Sequence, residues 1–142
     1  MIFVDANLLI YAVDSDSPHH PEARRWLEHL LSSEEPVRFP WVALLAFLRI
    51  TTRDGILARP LNPSEALEYV DSWLDQPYAS AVGPGTNHWA VLRNLLRAVG
   101  TAANLTSDAH VAALALEHGA TLHSTDNDFR RFPGIDYVNP LA

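Results

Sequence analysis

At 142 residues the chain fits one domain, residues 1–142, long enough to bury a real core. It contains no cysteine, which excludes disulfides, thiolate metal sites and cysteine nucleophiles. No run approaches the ~20 apolar residues of a membrane helix, and Asp5 interrupts the one candidate leader, so the expectation is a soluble cytoplasmic protein with no membrane partner. A net charge of −7 argues at first against nucleic acid, but the distribution says more than the sum. All ten basic residues are arginine; Arg93 and Arg97 meet no acid between Thr86 and Ser107, and Arg49, Arg53 and Arg59 meet only Asp54 between Trp41 and Asn62. RNA stays open on that local balance.

The first apolar run, Ile2-Phe3-Val4, reads as a strand buried on both faces and ends at Asp5. A helix through Val13 follows at once. Asp5 is therefore either its cap or a ligand at the carboxyl edge of a parallel sheet, where ligands bind, and on its own it does not decide between them. Asp14 to Pro18 breaks the pattern, and Pro18 or Pro21 starts a second helix with Ala23, Trp26, Leu27, Leu30 and Leu31 on its apolar face. Val37 to Phe39 is a second strand closed by Pro40. Trp41 to Thr52 is a largely apolar helix ended by the Asp54-Gly55 turn signal.

Asn62-Pro63-Ser64-Glu65 spells a capping box with proline at the first helical position. Ala66, Leu67, Val70, Trp73 and Leu74 form the expected buried stripe, and Glu65 and Glu68 are capping and solvent-facing residues. Tyr78 to Val82 is a third strand. Thr86 is expected to cap a helix with Trp89, Leu92, Leu96 and Val99 on one side and Arg93 and Arg97 on the other. Trp41, Trp73 and Trp89 all read as core. Thr106-Ser107-Asp108 opens an alanine-rich helix to His118, and Gly119 suits the C′ position. Ala120 to His123 is a fourth strand; a helical turn through Arg131 and a strand from Ile135 to Val138 complete the chain. Short strands alternating with helices predict an α/β fold, a parallel sheet of about five strands with helices on both faces.

Asp5, Asp108 and Asp126 share one kind of place, a strand end or the first turn of a helix. Singly each has an innocent role: cap, complement to the helix dipole, or turn residue. Together they converge on one sheet edge, where unpaired carboxylates repel one another and resist ionising. A divalent cation removes that difficulty, and oxygen ligands without cysteine or paired histidines suit Mg²⁺ or Mn²⁺ better than zinc. None of the seven histidines forms a helical i, i+4 ligand pair; His110, two residues after Asp108, reads as a surface or supporting residue.

Three stretches, Phe3 to Ala12, Ser107 to Gly119 and Leu122 to Phe132, with the closing Val138-Asn139-Pro140-Leu141, make the chain resemble a PIN-domain ribonuclease of the VapC toxin type. The resemblance implies a PIN-like fold and a Mg²⁺- or Mn²⁺-dependent endoribonuclease that cleaves structured RNA such as tRNA or rRNA. It implies Asp5, Asp108 and Asp126 as metal ligands, Asp128 as an auxiliary catalytic acid, and Asn7 and Thr125 as support. A VapB-type antitoxin and a homodimer are its implied partners. One position departs from the pattern: where relatives usually carry a glutamate in the helix after the second strand, this chain has Ala46. That departure keeps a second reading open, a PIN domain that binds RNA or a protein without cutting. A nuclease for single-stranded or flap DNA is a third.

Overall fold

The computed structural model describes residues 1–142. Five strands are joined by six α-helices: β1 (Ile2–Val4), α1 (Ala6–Val13), α2 (His20–Ser32), β2 (Val37–Pro40), α3 (Trp41–Thr52), α4 (Pro63–Leu74), β3 (Ala79–Val82), α5 (His88–Val99), α6 (Thr106–His118), β4 (Thr121–His123) and β5 (Asp136–Val138). Short 3₁₀ turns at Ala103–Leu105 and Asn127–Arg131 precede α6 and follow β4. All strand pairs are parallel, as the alternation of strands and helices predicts, and the spatial order is β3-β2-β1-β4-β5. None of the helices is long and apolar enough to cross a membrane.

β1 is the hinge of this order. Its side chains alternate between the two faces: Phe3 enters the core built with α5 and α6, and Val4 enters the core built with α1 to α4. That explains its uninterrupted apolar sequence. The chain winds outward from β1 through β2 to β3 on one side, then returns to lay β4 and β5 on the other. The carboxyl ends of β1 and β4 therefore flank the point where the winding reverses, the place where open parallel sheets leave a crevice.

Local signals hold the ends in place. Asn62 accepts from the Glu65 amide at 2.9 Å while the Glu65 side chain returns to the Asn62 amide at 3.3 Å, completing the expected capping box. Gly119 ends α6 at φ +63, a backbone conformation that disfavours other residues. Other expectations need correction. α5 starts at His88 with no side-chain cap, so Thr86 does not cap it. Trp89 is 69 % exposed and Trp41 53 % exposed, so neither is core, whereas Trp73 is buried between Phe39 and Phe47. Leu95, not Trp89, anchors α5. Leu67 also faces outward, while Ala66 and Trp73 carry the buried side of α4.

Candidate active site

The crevice at the switch point is built from three chain segments. β1 delivers Asp5, whose amide donates to the His123 backbone oxygen at 3.0 Å, extending the β1–β4 ladder by one residue. Asp5 also caps α1, accepting from the Ala6 amide at 2.8 Å. Its second carboxylate oxygen accepts from Ser124 Oγ at 2.8 Å. Asp5 is thus a helix cap, and its second oxygen is turned to Ser124, so each carboxylate oxygen has its own partner.

Ser124 is the organiser of the crevice. It is completely buried, and its hydroxyl uses all of its hydrogen-bonding capacity. It donates to Asp5 and accepts from Asn7 Nδ2 at 3.1 Å and from the Asp126 amide at 3.1 Å. Asn7 in turn accepts from the Thr125 amide at 3.4 Å. Asn7 thus joins Ser124 to the Thr125 backbone, and the Thr125 side chain makes no hydrogen bond there. The sequence reading missed Ser124, because a serine between a strand and a turn looks like an ordinary loop residue. Its one signal was position: the side chain directly after β4 must lie beside the end of β1.

Asp126 caps the 3₁₀ turn that follows β4, accepting from the Asp128 amide at 2.9 Å. That turn swings Asp128 back toward the site. α6 brings Asp108 in from its first turn, where it makes no capping bond. Oxygen atoms of Asp108, Asp126 and Asp128 all lie within 4.8 Å of one another. Asp128 is therefore a full member of the cluster rather than a bystander, and Asp5 stands beside it, tied to Ser124. Burial, then the charges of Asp126, Asp5 and Asp128, push Asp108 up to about 6. Burial likewise raises Asp5, partly offset by the Ser124 and Ala6 hydrogen bonds.

Ala46 is half-buried on α3, and no other three acidic or histidine side chains bring their ligand atoms close enough together to hold an ion. Glu65 and Glu68 lie on the exposed side of α4. A separate network joins α5 to α6. His88 Nδ1 meets Glu117 Oε2 at 2.7 Å and His88 Nε2 meets His110 Nδ1 at 2.8 Å. Since a carboxylate only accepts, a neutral His88 donates from Nδ1 and accepts from His110 at Nε2. His110 is half-buried and held by His88, in a network apart from the aspartates.

A parallel sheet with four aspartates gathered at its winding reversal and no other polar cluster of that size defines the molecule as a PIN-type domain. The family model described as PIN domain matches residues 2–135, and the chain belongs to that family. It is 47% identical over 142 residues to Ribonuclease VapC37 of Mycobacterium tuberculosis, covering 100% of this chain and 99% of the relative. It is 38% identical over 141 residues to Ribonuclease VapC33 of the same organism, covering 99% of each. Within the PIN family it is therefore one of the VapC-type ribonucleases. Among solved structures, a chain of VapBC2 from Rickettsia felis, crystallised bound to a DNA fragment from their promoter, shares the fold with a TM-score of 0.73 over 98% of each chain at 17% identity.

Proposed function

We propose that the chain is a Mg²⁺- or Mn²⁺-dependent endoribonuclease, the toxin of a VapBC-type pair, acting in the cytoplasm on structured RNA such as tRNA or rRNA. The carrying observation is the convergence of Asp108, Asp126 and Asp128 oxygens within 4.8 Å, with Asp5 adjoining. The donor set fits a hard divalent cation: every candidate ligand is a carboxylate oxygen, and Asp108 is raised first by burial and then by the neighbouring aspartates, with no neutralising charge among them. Asp108, Asp126 and Asp128 would hold the ion, with Asp5 as a further ligand, directly or through water. When bound, such an ion supplies an activated water and offsets the charge that develops on the phosphodiester.

The rest of the work falls to the protein. Ser124 fixes the Asp5 carboxylate and the Asp126 backbone relative to each other, so two ligands from opposite ends of the chain keep one geometry. Asn7 locks that serine to the Thr125 loop. Residues 1–142 act as one catalytic unit. A groove of about 530 Å³ between α2 and α4, walled by Leu27, Leu31 and Trp73 but also by Arg24, Glu28 and Gln76, suits an amphipathic segment of the antitoxin. The exposed Trp41, Leu45 and Trp89 are consistent with faces covered by protein in a homodimer.

The test is the thermal response to the ion. Mn²⁺ should raise the melting temperature of the wild type, whereas Asp108→Asn should melt higher without the ion and respond to it weakly. An undiminished Mn²⁺ response in the variant would remove Asp108 from the site. A second reading, a domain that binds RNA or a protein without cleaving it, is favoured by Ala46, which leaves the cluster one carboxylate short of the family pattern. Under that reading ion-loaded protein binds RNA and releases it uncut.

A further inference from the structure

Ten arginines and no lysine carry all the positive side-chain charge at neutral pH. Three have partners. Arg24 pairs with Glu28, Arg59 grips Asp16 through two nitrogens, and Arg38 donates to the Val37 and Tyr78 backbone oxygens. Of the other seven, Arg130 alone lies over an aromatic ring, its guanidinium carbon 5.9 Å from the centroid of Tyr137.

That seat is built outward from the core. Phe129 is fully buried, the Tyr137 ring lies 6.0 Å from it, and the Arg130 guanidinium lies over the tyrosine ring. The Tyr137 hydroxyl reaches Asn127 Oδ1 at 3.4 Å, linking β5 to the 3₁₀ turn that carries Asp126 and Asp128. The platform is close to the acidic cluster. Burial raises the Tyr137 hydroxyl, Arg130 works against that rise, and the charges of Asp126 and Asp5 add to it. Yet Arg130, two residues beyond Asp128, forms no ion pair with any of these acids.

A guanidinium resting on an aromatic face keeps its in-plane N–H donors free, and those donors match a phosphate in a bidentate fork. The crevice needs such a charge, because an acidic mouth repels a polyanion before any chemistry begins. We propose that Arg130, seated on Tyr137, binds a phosphate of the RNA strand next to the one being cleaved, and so positions the strand across the aspartates. This assignment rests on the endoribonuclease reading above. Arg130 is a substrate-binding residue and Tyr137 its positioning residue.

Steady-state cleavage of a hairpin RNA in Mg²⁺, and RNA binding by fluorescence anisotropy in EDTA, test it on four proteins: wild type, Arg130→Gln, Tyr137→Phe and Tyr137→Leu. Arg130→Gln should raise KM and Kd about tenfold with kcat near wild type, and flatten the salt dependence of log Kd by about 0.7, one phosphate contact on a single strand. Tyr137→Phe keeps the ring that seats Arg130 and loses only the hydroxyl bond to Asn127, so its KM should rise less than that of Tyr137→Leu, which should move toward the Arg130→Gln value. Unchanged KM, Kd and salt slope in Arg130→Gln would overturn the proposal, as would a loss confined to kcat. If the wild type binds RNA but never cuts it, the endoribonuclease reading fails while the Kd values still judge Arg130. If the wild type cuts and Arg130→Gln keeps its KM, the Arg130 proposal fails alone. Wild type that binds no RNA overturns both.

Discussion

Asp108 carries the site's electrostatic stress. Its pKa is raised from 3.8 to about 6, so between those values the folded protein holds a proton that the unfolded chain has released. Stability of ion-free protein should therefore fall as pH rises from about 4 to about 6, and level off above. Asp5, raised by burial, pushes in the same direction. Mg²⁺ or Mn²⁺ should flatten or invert that slope in urea titrations. Asp108→Asn should release part of the stress, about 1–2 kcal/mol at pH 7.5 once its partial exposure to solvent is discounted. A slope of the opposite sign in EDTA would contradict this electrostatic account. Ser124→Ala is the complementary case. It strips a buried hydroxyl of three hydrogen bonds and leaves the Asp5 carboxylate short of a donor, at a cost of about 1–3 kcal/mol. Loss of ion binding beyond that destabilisation should accompany it, and a neutral effect on both would show that Ser124 organises nothing.

At the scale of elements, what was legible in the sequence was punctuation. Pro40 and Asp54-Gly55 bracketed α3, the Asn62 box opened α4, and Gly119 closed α6, because each residue type has a backbone or capping reason to be there. Helix faces were read less well. In α5 the buried residue is Leu95, and Trp89, six residues earlier, lies about 120° around the helix from it. Counting apolar residues at three- and four-residue spacing could not tell the centre of a stripe from its edge. Trp41 differs for another reason: it opens the first turn of α3 directly past the end of β2, and is 53 % exposed there. The aspartates were legible because strand ends and helix starts in a parallel sheet meet at one edge. Ser124 and the Glu117–His88–His110 chain were not, since each depends on which helix packs against which. Glu117 and His88 join α5 to α6 with side chains 6% and 14% exposed. Glu117→Gln should lower stability by about 1.5–3 kcal/mol, read as a lower urea midpoint with an unchanged slope. An unaltered midpoint would show that the pair does not fasten the two helices.

On the scale of the whole molecule, the winding reversal brings strand ends and helix starts to one edge, and the sequence places carboxylates there from both ends of the chain. That arrangement makes the site a product of the strand order β3-β2-β1-β4-β5 rather than of any local motif. It also gives Ala46 its meaning. If α3 faces the crevice at that position, Ala46→Glu should tighten Mn²⁺ binding severalfold by calorimetry and raise cleavage. Unchanged affinity would place residue 46 outside the ion's reach. The central claim, that the aspartates of this crevice cut RNA with a divalent ion, is tested most directly by following cleavage of an RNA hairpin. Wild type freed of any antitoxin should be compared with Asp126→Asn across Mg²⁺ and Mn²⁺ titrations. The account predicts cuts that depend on the ion, stop in EDTA and vanish in Asp126→Asn, with the variant still folded. Equal cleavage by Asp126→Asn, or an intact wild type that leaves RNA whole at every ion concentration, would contradict it.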